Sequence, residues 1–463
     1  MTQPAPPAPD TSDPKKARRA AWGAFAGTAI EWYDFYVYGT AAALVIGKLF
    51  FPDADPLAQT LSALATFAIG FILRPVGAVI FGYIGDRVSR KTSLLITLLL
   101  MGGATVAIGL LPTYETIGVA APIILLFLRM LQGLSVGGEW GGAVLIASEA
   151  APPHRKTLAA SMAQLGAPVG SILSTSVFLL LPSGDALLDG WWRIPFLLSG
   201  TLLVVGLVLR LKLEENDEFV RARERREAAA TKKAPVLELL RRFPLTNLCV
   251  FLASCAVSGV YFRNVFALNW AVETQDVARE VFLNALLAGG FIQVVLTPLA
   301  AVVADRFSVR NAQIAYTLIY LVVAPFPLLA LISAGEGPGS VYLAVALSYV
   351  GHSVYYATLS GFLTTLFPAE LRYTGISLGY QLSGSLVSGF VPLVAATLVG
   401  ADGTNILPVQ LLYGGLILLS LLGTLAGTSV SRRETARYAA SLAAETPPAE
   451  VTSGAGDGPH GTS

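Results

Sequence analysis

Along the chain, apolar runs of membrane-crossing length alternate with short breaks that are charged or rich in proline and glycine. A helix needs about 20 mostly apolar residues to cross a hydrocarbon core, and inside lipid it must satisfy its own backbone hydrogen bonds. The pattern predicts twelve spans, at roughly 21–47, 58–84, 92–111, 119–147, 157–181, 191–211, 245–268, 280–303, 312–333, 340–366, 374–400 and 406–428. The expected fold class is an all-α membrane protein with twelve transmembrane helices. The seventh span, 245–268, is unusually polar for such a helix.

Orientation follows from the basic residues, which favour the cytoplasmic side. With residues 1–20 inside, the inner loops collect Lys15, Lys16, Arg18, Arg19, Arg87, Arg90, Lys91, Arg155, Lys156, Arg306, Arg310, Arg372, Arg432, Arg433, Arg437 and the basic residues from Arg210 to Arg242. The outer loops keep Lys48, Arg193 and Arg279 beside acids such as Asp53, Asp185 and Glu273. A miscounted span would swap every later loop, so both termini are expected in the cytoplasm. Residues 1–20 and 429–463 read as disordered tails, and 212–244 as a cytoplasmic linker. Within that linker, Glu214, Glu215, Asp217 and Glu218 precede Arg221, Arg223, Arg225 and Arg226 at spacings suited to i,i+4 pairs on a surface helix.

The two halves repeat. Asp86-Arg87-Val88-Ser89 follows the second span, and Asp305-Arg306-Phe307-Ser308 follows the eighth. Arg155-x-Thr157 with Gln164-Leu165 matches Arg372-x-Thr374 with Gln381-Leu382 at nearly the same offset. Residues 21–211 and 245–428 are therefore expected to form two pseudo-symmetric six-helix bundles, an architecture of secondary transporters.

Composition narrows the choices further. Charged residues make up 13% of the chain, against about 25% in soluble domains, which excludes a soluble enzyme. The 31 Lys+Arg against 30 Asp+Glu give no basic footprint, so no nucleic-acid partner is expected. Three histidines and two cysteines supply neither a metal cluster nor a disulfide framework. Cys249 and Cys255 read as small buried hydrophobes. No Gly-x-x-x-x-Gly-Lys-[Ser/Thr] loop for a nucleotide-driven pump occurs. No cofactor, metal or catalytic residue is expected.

Candidate chemistry lies in ionisable groups at membrane depth, which are functional by default. Glu31 and Asp34 share one helix face, with Tyr38 one turn further along. Two close carboxylates at low dielectric resist joint ionisation, which suits proton coupling. Arg74 and Arg129 fall deep in the second and fourth spans, where a guanidinium can grip a carboxylate with two parallel bonds. Either one can bind an anionic substrate or neutralise a first-span acid. Gln132 and Glu139 continue the Arg129 face. The seventh span adds Tyr261, Arg263, Asn264, Asn269 and Trp270. Asn284, Gln293, His352, Tyr355, Tyr356 and Gln381 are further candidates to line a cavity. The loop containing Gly82, Asp86, Arg87, Arg90 and Lys91, with its copy at Asp305 and Arg306, is expected to latch the cytoplasmic ends through Asp–Arg pairing and helix-end dipoles.

At these residues the sequence resembles the major facilitator superfamily, whose signature Gly-x-x-x-Asp-Arg-x-Gly-Arg-[Arg/Lys] is nearly matched by residues 82–91. It is most similar to the metabolite:proton symporter branch. The shared strings are Glu31-Trp-Tyr-Asp34-Phe-Tyr-Val-Tyr-Gly39, Arg74-Pro75, Arg129-Met-Leu-Gln-Gly133, Gly137-Gly-Glu-Trp-Gly-Gly142, Gly190-Trp-Trp-Arg-Ile-Pro-Phe196 and Phe367-Pro368 with Arg372-Tyr-Thr-Gly375. Ser89 departs from the signature glycine, Ser308-Val309-Arg310 departs in the second copy, and Leu366 stands where an acid commonly precedes Phe-Pro. The resemblance implies the major facilitator fold and proton-driven import of small carboxylates or zwitterions such as shikimate-like acids, dicarboxylates, tricarboxylates, proline and betaines. It implies a bacterial inner membrane.

The expectation is a secondary active transporter whose partners are a small-molecule substrate, protons and the lipid bilayer. It would work as a monomer by alternating access. A uniporter or exporter of the same fold is the alternative, and a membrane receptor or channel a more distant one.

Overall fold

The computed structural model describes residues 14–87, 90–136, 153–162, 164–211 and 235–445. They form α1 (Pro14–Leu44), α2 (Pro56–Ile72 continued by Arg74–Arg87), α3 (Arg90–Leu110), α4 (Ala120–Val136), α5 (Lys156–Met162 continued by Gly166–Leu180) and α6 (Arg193–Leu211). After a short helix at Pro235–Arg242 come α7 (Pro244–Thr274), α8 (Arg279–Asp305), α9 (Val309–Ser333), α10 (Pro338–Thr364), α11 (Leu371–Val399) and α12 (Ile406–Glu445). Among the described residues, nine helices are long and apolar enough to cross a membrane; α1, α4 and α10 are the remaining three.

Two expected boundaries move. The first helix starts at Pro14, before the expected end of the tail, because proline suits a first helical position and the following Lys-Lys-Ala-Arg-Arg-Ala-Ala run has high helix propensity. The last helix continues to Glu445, well past 428. Loss of hydrophobicity there marks the end of the span, not of the helix: Arg-Arg-Glu-Thr-Ala-Arg-Tyr-Ala-Ala contains no breaker. The extension has a structural use. Glu434 accepts from the Leu245 and Thr246 amides at 3.2 and 3.0 Å and from the Thr246 hydroxyl at 2.7 Å, capping the start of α7. The paired charges expected at 214–226 lie outside the described residues.

Burial sorts the helices into central and peripheral. Residues 33–44 of α1, 253–271 of α7 and 351–363 of α10 are buried without interruption. A helix buried all round lies inside a large core. In contrast, α8 presents Phe291, Val295 and Leu299 outward at one-turn spacing, and α12 presents Leu411, Leu418 and Leu422. An apolar outer skin of this kind is what a lipid environment requires. Cys249 and Cys255 are both free and buried.

One helix of the second half clasps one helix of the first at both ends. At the end expected to be cytoplasmic, Asp305 at the end of α8 accepts from the Thr157 and Leu158 amides of α5, both at 3.0 Å. At the other end Arg279 of α8 donates to the carbonyls of Phe178, Leu181 and Pro182 at 3.3, 2.6 and 3.3 Å. An acid thus meets the amide end of α5 and a cation its carbonyl end, as the helix dipole favours. Further ties join the halves: Gln164 to Ser360 Oγ at 2.6 Å and Tyr356 O at 3.1 Å, Lys48 to Glu273 at 2.9 Å, and Asn269 to Ala43 O at 2.7 Å. Among the described residues the halves are bridged at both ends.

Candidate functional site

The first-half cluster is built by a close approach of α2 and α4. A Cβ on Gly133 would strike the Gly70 carbonyl, and one on Gly70 would strike the Arg129 guanidinium, so only glycine fits at either position. Arg129, fully buried, lies flat in the resulting slot. Its Nε donates to Thr66 O at 3.3 Å, its Nη2 to Phe67 O at 3.1 Å and its Nη1 to Gln132 Oε1 at 2.7 Å. The guanidinium carbon sits 3.7 Å from the centre of the Tyr38 ring, a cation–π contact worth about 2 kcal/mol when desolvated. Tyr38 in turn shares a hydrogen bond with Thr66.

Asp34 is 1% exposed. Ser199 of α6 donates to its Oδ1. Oδ2 has no partner in the protein. Among the described residues, no cation pairs with Asp34. The expected alternative, in which Arg74 or Arg129 neutralises this carboxylate by direct contact, is therefore not what the structure adopts. Arg129 is tied instead to Thr105 of α3 through Gln132, whose Nε2 donates to Thr105 Oγ1 at 2.7 Å. Glu31, one turn earlier, is half-buried.

Arg74 owes its position to a break in α2. Pro75 has no N–H to continue the helix ladder, so the backbone restarts at Arg74. The guanidinium lies 3.9 Å from the Phe71 ring centre and 4.6 Å from that of Phe35. Tyr261 of α7 packs against the same Phe35 and Phe71 rings from across the interface, while the Arg74 Nε has no partner.

In the second half, α7 is irregular where its polar residues fall. A 3-10 turn covers Cys255–Ser258 and a π-helical segment covers Phe262–Ala267, a distortion frequent at functional sites. Arg263, fully buried, donates from Nε to Asn264 Oδ1 at 3.1 Å and from Nη1 to Ser348 Oγ at 3.2 Å, and lies 3.4 Å over the Tyr349 ring. Its Nη2 has no partner. Asn264 Nδ2 donates to Ser171 Oγ of α5 at 3.2 Å, joining the halves at mid-depth. His352 stacks on Tyr356, with ring centres 5.3 Å apart, and Gln293 sits 3.4 Å from its Nδ1. With Nδ1 accepting, the ring proton is on Nε2, which is buried and without a partner. The Tyr356 and Tyr380 hydroxyls are 3.4 Å apart. Gln381 Oε1 and Arg74 Nη1 approach the same face of Gly384, at 3.9 and 4.0 Å from where its Cβ would stand.

The structure thus brings Asp34, Tyr38, Arg129 and Gln132 into one cluster. Arg74 and Gln381 approach each other beside Tyr261, and Arg263, Asn264 and Tyr356 lie on the inner helices α7 and α10. Other expected cavity residues serve as bridges. Tyr355 donates to Ala253 O at 2.6 Å, Trp270 to Gly403 O at 2.9 Å, and Asn284 to Glu280 O of its own helix at 2.8 Å; Asn269 makes the tie to α1 already described. Of the gating residues, Asp305 reaches the interface and Arg306 stays exposed. The expected Asp–Arg latch is replaced in this copy by capping, because α5 presents free amides within reach of the carboxylate. The side chains of Gly82, Asp86, Arg87, Arg90 and Lys91, and all of Glu139, lie outside the described residues. Sequence reasoning did not single out Thr105, Ser199, Ser348 or Tyr349. A hydroxyl in an apolar helix usually bonds the carbonyl one turn back, as Thr105 does to Met101 O at 2.9 Å, and its second partner leaves no mark on the sequence.

Comparison with known proteins adds three findings. The Major Facilitator Superfamily profile matches residues 24–392. The shikimate transporter of Escherichia coli is 40% identical over 408 residues, covering 87% of this chain and 93% of that protein, and the proline/betaine transporter of the same organism is 31% identical over 434 residues, covering 92% and 85%. The crystal structure of a D-xylose-proton symporter superposes with a TM-score of 0.70 over 89% of this chain and 97% of its own, at 17% identity, a likeness of fold.

Proposed function

The chain belongs to the major facilitator superfamily and is a secondary transporter, and on that premise we propose that it imports a small organic carboxylate together with protons. The membrane would be the bacterial inner membrane, with both termini cytoplasmic and one chain sufficient, since both bundles that build the site lie in it.

The reading rests chiefly on the balance of buried charge. Among the described residues, the buried charges at mid-depth are Asp34 on one side of the balance and Arg74, Arg129 and Arg263 on the other. An uncompensated cation in this setting costs several kcal/mol, and Arg74 Nε and Arg263 Nη2 still have N–H groups without partners. An anionic cargo supplies both the charge and the acceptors. Protonation of Asp34, with Glu31 as a second candidate, raises the positive charge of the site and so favours anion entry. Arg74 and Arg263 make the direct contacts, with Asn264, Tyr356 and Gln381 beside them. Arg129, with Gln132 and Tyr38, holds the first-half wall. Release follows deprotonation, after the α5–α8 clasp opens at the inner end. Asp305 is the inner gating residue of that clasp.

Among candidate cargoes, the name of the 40% identical relative puts shikimate first, and the tyrosine hydroxyls around Arg74 suit a hydroxylated ring acid. Radiolabelled uptake into proteoliposomes, across a panel of organic acids, proline and betaines, tests this. The expected result is uptake of shikimate or a similar acid that rises with an inward proton gradient. Uptake of zwitterions alone, or uptake indifferent to the gradient, would contradict it.

A further inference from the structure

Where the chain enters α7, three arginines share one cleft. The short helix Pro235–Arg242 ends in Arg241 and Arg242, and the extension of α12 past its span brings Glu434, Arg437 and Tyr438 beside them. With Pro244 these residues line an open cleft of about 240 Å³. One side of it is fixed. Arg242 donates to Ser441 and lies 5.6 Å from the Tyr438 ring centre, and Phe243 packs edge-on against the same ring at 5.5 Å. Glu434 lines the cleft too, yet both its oxygens are turned to the amides and the hydroxyl at the start of α7. Arg241 and Arg437 are exposed, and among the described residues neither guanidinium has a hydrogen bond or ion pair. The cleft therefore holds three positive charges and one carboxylate that is already engaged.

The flanks of the cleft are apolar. Leu237 and Leu240 on the short helix, and Leu245 and Leu248 at the start of α7, are exposed in pairs three residues apart, so each pair shares a face. Arg241 and Arg242 come one turn before Leu245. Such a junction suits the membrane boundary, with leucines among acyl chains and guanidinium groups at the depth of the headgroups.

We propose that this cleft binds the phosphodiester headgroup of an anionic phospholipid, held between Arg241 and Arg437 with its acyl chains along Leu245 and Leu248. A guanidinium matches two phosphate oxygens with parallel bonds, and basic pockets at the ends of membrane helices hold anionic headgroups. The flanking leucines favour a lipid over a soluble phosphate, which has no chains to lay against them. The bound headgroup ties the start of α7 to α12, next to the tie that Glu434 makes. Because α7 also carries Arg263, the lipid braces from outside a helix of the proposed cargo site. Its binding depends neither on the cargo nor on the proton.

Native mass spectrometry of the full-length protein in detergent, offered equal amounts of phosphatidylglycerol and phosphatidylcholine with the same acyl chains, tests the site. Wild type should retain phosphatidylglycerol in preference, and its melting temperature should rise with that lipid alone. Arg241→Gln and Arg437→Gln should each lower this retention by about fivefold. Arg432→Gln, exposed on the same helix but outside the cleft, should change it by less than about twofold. Equal retention of the two lipids by wild type overturns the proposal. Equal losses in Arg432→Gln and Arg437→Gln trace the binding to diffuse surface charge and overturn the cleft as its site. A melting temperature raised as much by inorganic phosphate or glycerophosphoglycerol as by the lipid overturns the lipid as occupant. If the Gln variants do not accumulate as folded protein, wild type decides: photoactivatable phosphatidylglycerol should crosslink within residues 236–248, and crosslinks confined to other segments contradict the site.

Discussion

Among the described residues, Arg129 and Arg263 are the two guanidinium groups with no exposed surface, and they are held in opposite ways. Both lie over a tyrosine ring, at 3.7 and 3.4 Å. Arg129 finds an acceptor for each of its three nitrogens, two of them backbone carbonyls of α2. Arg263 finds only short polar side chains, and one nitrogen is left over. The difference originates in the helices: two regular helices brought together by Gly70 and Gly133 expose carbonyls to Arg129, whereas the π-helical turn of α7 points Arg263 toward the inner face of α10. A buried cation satisfied by backbone is part of the wall. One left short of acceptors is, on the proposed function, part of the site.

That contrast is open to attack at several points. The largest effect should come from Asp34→Asn, which removes the proposed proton carrier while keeping the volume. Uphill accumulation in proteoliposomes should vanish while exchange of labelled for unlabelled acid continues. Next, Arg263→Met should weaken apparent affinity by about a hundredfold, as expected when one partner of a desolvated charge pair is lost, with little change in thermal stability. Arg129→Lys should show the reverse, lowering the melting temperature through loss of its carbonyl bonds while affinity falls less. If Arg129→Lys loses affinity at full stability, the roles assigned to the two arginines are interchanged.

A smaller effect is expected at the clasp. Asp305→Asn keeps one acceptor but loses the charge at the α5 amides, removing about 1 kcal/mol. Cysteines placed at the inner end should react several-fold faster with a thiol reagent. Arg279→Gln should do the same at the outer end. The smallest effect belongs to Tyr356→Phe, whose hydroxyl makes a long contact to Tyr380 at 3.4 Å; affinity should change by no more than about threefold.

Much of this fold is legible in the sequence, because lipid imposes a strict rule on span length. The buried ionisable residues are legible for the same reason: Asp34, Arg74, Arg129 and Arg263 stand out against apolar neighbours. What the sequence does not disclose is who partners whom. Arg129 and Asp34 invite a direct ion pair on paper, yet Arg129 turns to Gln132 and the α2 carbonyls and Asp34 to Ser199. Likewise Asp305 suggests an arginine partner, while its neighbour in space is the bare amide end of α5. The end of α12 is misjudged because hydrophobicity reports on membrane depth and helix propensity does not.

The central claim is that a proton enters with the anion and that Asp34 carries it. Proteoliposomes loaded with a pH-sensitive dye and given an external acid that the protein accepts test it directly. The account predicts acidification of the lumen with wild-type protein and none with Asp34→Asn. Equal acidification in both, or uphill accumulation by wild type with no acidification, would contradict it.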